Sequence, residues 1–89
     1  MTTAERIARE CDRLKHTLIA KNRAYGDSAL DPVRIFSRAD PVEQLRVRID
    51  DKLSRIARGQ GGEGQEDTLL DLAGYLVLLR VALRRDDEG

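Results

Sequence analysis

The sequence predicts an all-α fold of three main helices, with a long structured loop between the first two, packed as a helical-bundle homo-oligomer. Three observations point there. Apolar residues recur at steps of three and four along three segments, and residues suited to starting or stopping a helix flank those segments. The composition, 36% charged against 40% hydrophobic, is that of a soluble helical chain rather than a disordered one. At 89 residues the chain makes one domain, 1–89, with a single modest core.

Helix 1 is expected over residues 2–25. Ile7, Cys11, Leu14, Leu18 and Tyr25 form its apolar stripe, widened by Ala4, Ala8 and Ile19, while Arg6, Arg9, Asp12, Arg13 and Lys21 face away. Cys11 on that stripe reads as a small core residue. Thr2 and Glu5 have capping-box spacing, and Gly26 is placed to stop the helix. Residues 26–40 form the loop, in which Asp31-Pro32 is suited to open a short helical turn that tucks Ile35 and Phe36 inward. A loop that long in so small a domain suggests a role, and a lid over a ligand is the expectation.

Helix 2 is expected over 41–58, with Asp40 as N-cap, Pro41 at the first helical position and Glu43 at the third. Val42, Leu45, Ile49, Leu53 and Ile56 mark its buried face, and the glycine-rich linker 59–65 follows. Helix 3 spans 66–84, after which the tail should fray. Between Leu69 and Leu83 only Asp71 and Arg80 are ionisable, so apolar side chains surround almost the whole circumference. Two neighbours within one chain can scarcely cover such a helix, which makes a homodimer the economical solution, with a tetramer open.

Charge and composition exclude several function classes. Sixteen basic residues balance sixteen acidic ones, which argues against a bulk-basic nucleic-acid binder and a polybasic membrane-surface protein. No apolar run approaches the length of a membrane span. The one cysteine fits a reducing compartment, and the chain opens into a charged amphipathic pattern without a signal-peptide core, so a cytoplasmic protein is expected. A single histidine, His16, rules out a histidine-based metal site or a Ser-His-Asp triad.

The residues that carry chemistry lie near the helix ends and on facing helices. Asp71 sits mid-way along an apolar helix, where an unpaired carboxylate is costly to bury. Asp67 and Tyr75 lie one turn to either side, making a polar stripe. Two carboxylates a turn apart can share a divalent cation; equally, Asp67 can cap the helix and Asp71 can pair with a buried Lys or Arg. On helix 2, Lys52 projects near the Leu45/Ile49/Ile56 face, as a phosphate ligand, a partner of Asp71 or a snorkelling side chain, with Arg55 on a flank. Asp50 and Asp51 diverge by about 100° and cannot both point inward. Solvated pairing is the expected fate of Glu43 and Arg48. Asn22, Tyr25, Asp27 and Ser28 crowd the end of helix 1, as a helix stop with an Asx-type turn or as base and phosphate contacts.

Three words carry a family resemblance: Lys21-Asn22-Arg23-Ala24-Tyr25-Gly26-Asp27-Ser28, Asp51-Lys52-Leu53-Ser54-Arg55-Ile56, and Asp67-Thr68-Leu69-Leu70-Asp71-Leu72-Ala73-Gly74-Tyr75. Together they resemble small phage and bacterial proteins of the MazG-like group and those of the nucleotide modification associated domains. The resemblance covers about residues 21–80 and implies an all-α, Mg²⁺-dependent nucleoside triphosphate pyrophosphohydrolase acting on (deoxy)nucleotides. Asp71 matches the aspartate of that group's later acidic motif. Thr68 stands where its first acid falls, Asp67 lies one residue earlier, and the earlier helix has no E-x-x-E pair.

On that implication Asp51, Asp67 and Asp71 are the metal ligands and Mg²⁺ the cofactor. Asp50, Asp51 or a metal-bound hydroxide serves as base, and Lys52 and Arg55 neutralise the leaving pyrophosphate. Asn22, Tyr25, Asp27, Lys52, Arg55 and Tyr75 then bind the substrate. Two other readings stand beside it. A non-catalytic nucleotide-binding accessory of phage nucleotide metabolism predicts a basic, aromatic cleft with too few converging carboxylates. A helical dimerisation module predicts Asp71, Lys52 and Tyr75 meeting in the core with no cleft beside them.

Overall fold

The computed structural model describes residues 1–31, 37, 39–59 and 67–88, and these form three helices with no strand among them. α1 spans Thr3–Ala24, α2 Pro41–Ala57 and α3 Thr68–Glu88. None is long and apolar enough to cross a membrane.

Local chemistry sets the ends. Thr2 caps α1, its hydroxyl accepting from the Glu5 amide at 3.1 Å. Past the Tyr25 cap, Gly26 takes φ +59, a left-handed conformation that costs glycine nothing. Asp27 follows at φ +62, an uncommon value for a residue with a side chain. The Asn22 amide donates to its carboxylate at 2.6 Å, and its backbone amide closes onto the Asn22 carbonyl at 3.2 Å. Asp40 caps α2, accepting from the Glu43 amide at 2.8 Å, with Pro41 supplying a first residue that needs no donor.

α3 departs from the expected 66–84. It starts at Thr68, because Asp67 acts as the cap and accepts from the Leu70 amide at 3.0 Å. It runs on to Glu88, through the tail expected to fray. Arg85 lies in its last turn, where a cation suits the helix dipole, and is anchored by a 3.0 Å ion pair to Asp31. The turn proposed for Asp31-Pro32, the tuck of Ile35 and Phe36, and linker residues 60–65 lie outside the described residues.

Packing is uneven. α2 and α3 make the main contact, burying Leu45 and Lys52 on one side and Thr68 and Ala82 on the other. α1 lies against α3 more lightly. It seats at Gly74, where a built Cβ would come within 3.4 Å of a Leu18 methyl and 3.9 Å of a Leu14 methyl. None of its 22 residues is buried. Cys11, expected in the core, is exposed, because α1 turns Leu14 and Leu18 toward α3 and leaves Cys11 on the rim. The nearly all-apolar α3 leaves Leu69, Leu76, Val77, Val81 and Leu83 exposed.

Candidate functional site

The light seating of α1 on α3 leaves a cleft of about 370 Å³ bounded by all three helices. From α1 come Thr17, Lys21, Asn22 and Tyr25; from α2 come Arg48 and Lys52; from α3 come Asp71 and Tyr75. Leu14, Leu18, Leu70, Gly74 and Leu78 make the floor, and Ser28 and Ala29 close one end.

Asp71 is the electrostatic centre. One carboxylate oxygen lies 3.4 Å from the Lys21 ammonium and the other 3.5 Å from that of Lys52. Lys52 is the buried partner, its side chain 11% exposed against 55% for Lys21. A lysine this covered is tolerated because its stem packs in the α2–α3 interface while its head reaches the Asp71 carboxylate. A third cation, Arg48, stands over the Tyr75 ring with its guanidinium carbon 5.9 Å from the centroid, within cation–π range. Among the described lining residues, three cations against one carboxylate leave a net charge of +2.

Of the sequence-predicted site residues, Asn22, Tyr25, Lys52, Asp71 and Tyr75 meet here. The others lie elsewhere. Asp50 and Asp51 are exposed, Asp51 facing Arg55 one turn on at 3.7 Å. Asp67 is exposed and caps α3. Asp27 holds Asn22 and lines a groove on the far side of α1. Among the described residues no three His, Cys, Asp or Glu side chains come together as a metal cage. The cleft brings one carboxylate, already contacted by two ammonium groups, a donor set that fits an anionic group better than a bare divalent cation.

The sequence reading missed Lys21 and Arg48. Glu43 does pair on the surface, with Arg46 at 2.8 Å, but Arg48 turns into the cleft, where the Tyr75 face is its partner. Both cations had a signal. Lys21 fills the vacant step between Leu18 and Tyr25, and Arg48 lies three residues after Leu45 and four before Lys52. Thr68, in place of an acid, is 2% exposed, so a carboxylate there would be buried at the α3 start rather than presented to the cleft.

Comparison of the chain with protein-family models, curated proteins and solved structures gave no match.

Proposed function

We propose that this protein binds a nucleotide in the three-helix cleft. What carries the reading is the juxtaposition, around one cavity of about 370 Å³, of Lys21, Arg48 and Lys52 with the rings of Tyr25 and Tyr75. The volume suits a small ligand. The cations suit phosphate oxygens, Arg48 with a planar fork and the lysines as point charges. The tyrosine faces suit stacking on a base, and Asn22 offers an amide to a base edge or sugar. A helix pair held only by an internal salt bridge would need no such opening beside Asp71.

The stronger form of the proposal is Mg²⁺-dependent pyrophosphohydrolysis of a (deoxy)nucleoside triphosphate. Its support is Asp71, a carboxylate standing among the phosphate-binding cations. Magnesium needs only one or two carboxylates when phosphate oxygens complete its shell, so it would arrive as the nucleotide complex and supply Lewis acidity to the phosphoryl group. Lys21 and Lys52 would exchange part of their contact with Asp71 for phosphate, and Arg48 would hold the charge that gathers on pyrophosphate. Asp51 and Asp67 stay outside this scheme unless the helices rearrange.

The test is a panel of nucleoside and deoxynucleoside mono-, di- and triphosphates, with and without Mg²⁺, read by thermal stabilisation and pyrophosphate release. At a ligand concentration about 100 times Kd, binding adds about 2.7 kcal/mol, roughly 10–20 °C for a domain this size. Stabilisation that grows with phosphate number supports binding, and pyrophosphate release establishes hydrolysis. No shift with any nucleotide overturns the assignment.

A further inference from the structure

A helix stop needs one left-handed residue, and Gly26 at φ +59 supplies it for α1. The next residue, Asp27, is left-handed too, at φ +62, where a side chain is strained and glycine would not be. Backbone bonds hold it there. The Asp27 amide donates to the Asn22 carbonyl at 3.2 Å, and the Asp27 carbonyl accepts from the amides of Leu30 at 3.0 Å and Asp31 at 2.8 Å. Its carboxylate is thus a fixed point, and it accepts from Asn22 Nδ2 at 2.6 Å, short even for a charge-assisted bond.

That bond settles which way the Asn22 amide points. A carboxylate only accepts, so the nitrogen end of the amide faces it and the oxygen end is turned away. The two residues border different spaces. Asp27 lines the groove on the far side of α1, whereas Asn22 lines both that groove and the cleft. With Nδ2 drawn to the groove side, Oδ1 is the end left for the cleft. Tyr25 also lines the cleft and lies three residues on, on the same face of α1, so a base stacked on its ring brings its edge to Asn22.

We infer that Asp27 is a positioning residue that sets base selectivity: by holding Asn22 Nδ2 it aims the Asn22 carbonyl oxygen into the cleft, where that oxygen accepts from an exocyclic amino group. The preferred ligand is a nucleotide of an amino-bearing base, cytosine or adenine. The keto oxygen of uracil or hypoxanthine would instead meet the Asn22 oxygen with no proton between them. The inference rests on nucleotide binding in the cleft and adds which base edge the cleft takes. As a helix stop alone, Asp27 would have no effect on that choice.

The experiment compares cytidine with uridine triphosphate, and adenosine with inosine triphosphate, by titration calorimetry. Each pair exchanges an amino group for a keto oxygen at nearly constant shape. In the pair it binds more tightly, wild-type protein should favour the amino member at least ~10-fold. In Asp27→Asn the partner can donate as well as accept, so the amide can turn over and the ratio should fall to ~3-fold or less. Asparagine tolerates the left-handed backbone, so the turn is kept. Asp31→Asn, which removes the same charge four residues on, should leave the ratio unchanged. The side-chain amide signals of Asn22 in proton–nitrogen correlation NMR, identified by their loss in Asn22→Asp, report the hold without any ligand. They should move in Asp27→Asn and stay in place in Asp31→Asn. A keto preference, equal binding within both pairs, or a ratio that survives Asp27→Asn overturns the inference and leaves nucleotide binding standing. Failure of all four triphosphates to bind removes the nucleotide reading and the inference with it. Asn22 signals that stay in place in Asp27→Asn overturn the inference alone.

Discussion

Replacing Asp71 with Asn keeps the shape of the side chain and removes the negative charge that faces both Lys21 and Lys52. The geometry sets how much each lysine loses. For Lys52, 11% exposed and 3.5 Å from Oδ2, an effective dielectric near 20 gives an attraction of about 5 kcal/mol. Partial desolvation of both groups offsets much of that, leaving a net destabilisation of about 2–3 kcal/mol when the carboxylate is removed and the ammonium stays buried. For Lys21, 55% exposed at 3.4 Å, water and salt reduce the attraction to about 1 kcal/mol or less. Asp71→Asn should therefore lower Tm by roughly 10–20 °C at fixed protein concentration. The assay is urea and thermal unfolding by far-UV circular dichroism, on two double-mutant cycles. Asp71→Asn with Lys52→Met should give a coupling of about 2 kcal/mol, and Asp71→Asn with Lys21→Met under ~1 kcal/mol. Equal coupling to the two lysines, or a more stable Asp71→Asn protein, would refute the reasoning, because burial would then not decide which pair matters.

Other outcomes follow from the same structure. Arg48→Gln should leave the fold intact while weakening nucleoside triphosphate binding about tenfold, with a shallower salt dependence, measured by titration calorimetry at two ionic strengths. Gly74→Leu should destabilise by about 1–3 kcal/mol, since α1 must lift off a seat already at 3.4 Å. Gly74→Ala should change stability by under ~1 kcal/mol, helix propensity offsetting the tight methyl; parallel melts read both. Gly26→Ala should cost about 1 kcal/mol in urea unfolding, because φ +59 strains any side chain even though nothing lies within 4 Å.

The three helices and the starts of α1 and α2 were legible because the signals are local. Thr2, Asp40 and Gly26 act through atoms a few residues away, and the structure uses them as the sequence suggests. The C-terminal extension of α3 was not legible, and its last turn meets Asp31, 54 residues from Arg85, a contact no local pattern reveals. Half of the candidate site could be read as well. Lys52 and Asp71 stood out because a charge on an apolar face needs a partner. Lys21 and Arg48 carried the same signal more faintly, each taking one step of a stripe that a hydrophobic count passes over. The acidic residues read ambiguously for a related reason: Asp51 and Asp67 satisfy local demands, a neighbouring arginine and a helix start, that sequence spacing does not separate from a shared cation.

α1 is a partition with a hollow on each face, and Leu14, Leu18, Asn22 and Leu78 border both. Where Leu14 and Leu18 come down on α3, the seat is a notch one glycine wide. A displacement of that wall would change the shape of both hollows, because the same side chains line each. Two occupants that each shift α1 would be coupled, and reciprocally: if filling the cleft strengthens binding in the groove about tenfold, filling the groove must strengthen binding in the cleft by the same factor.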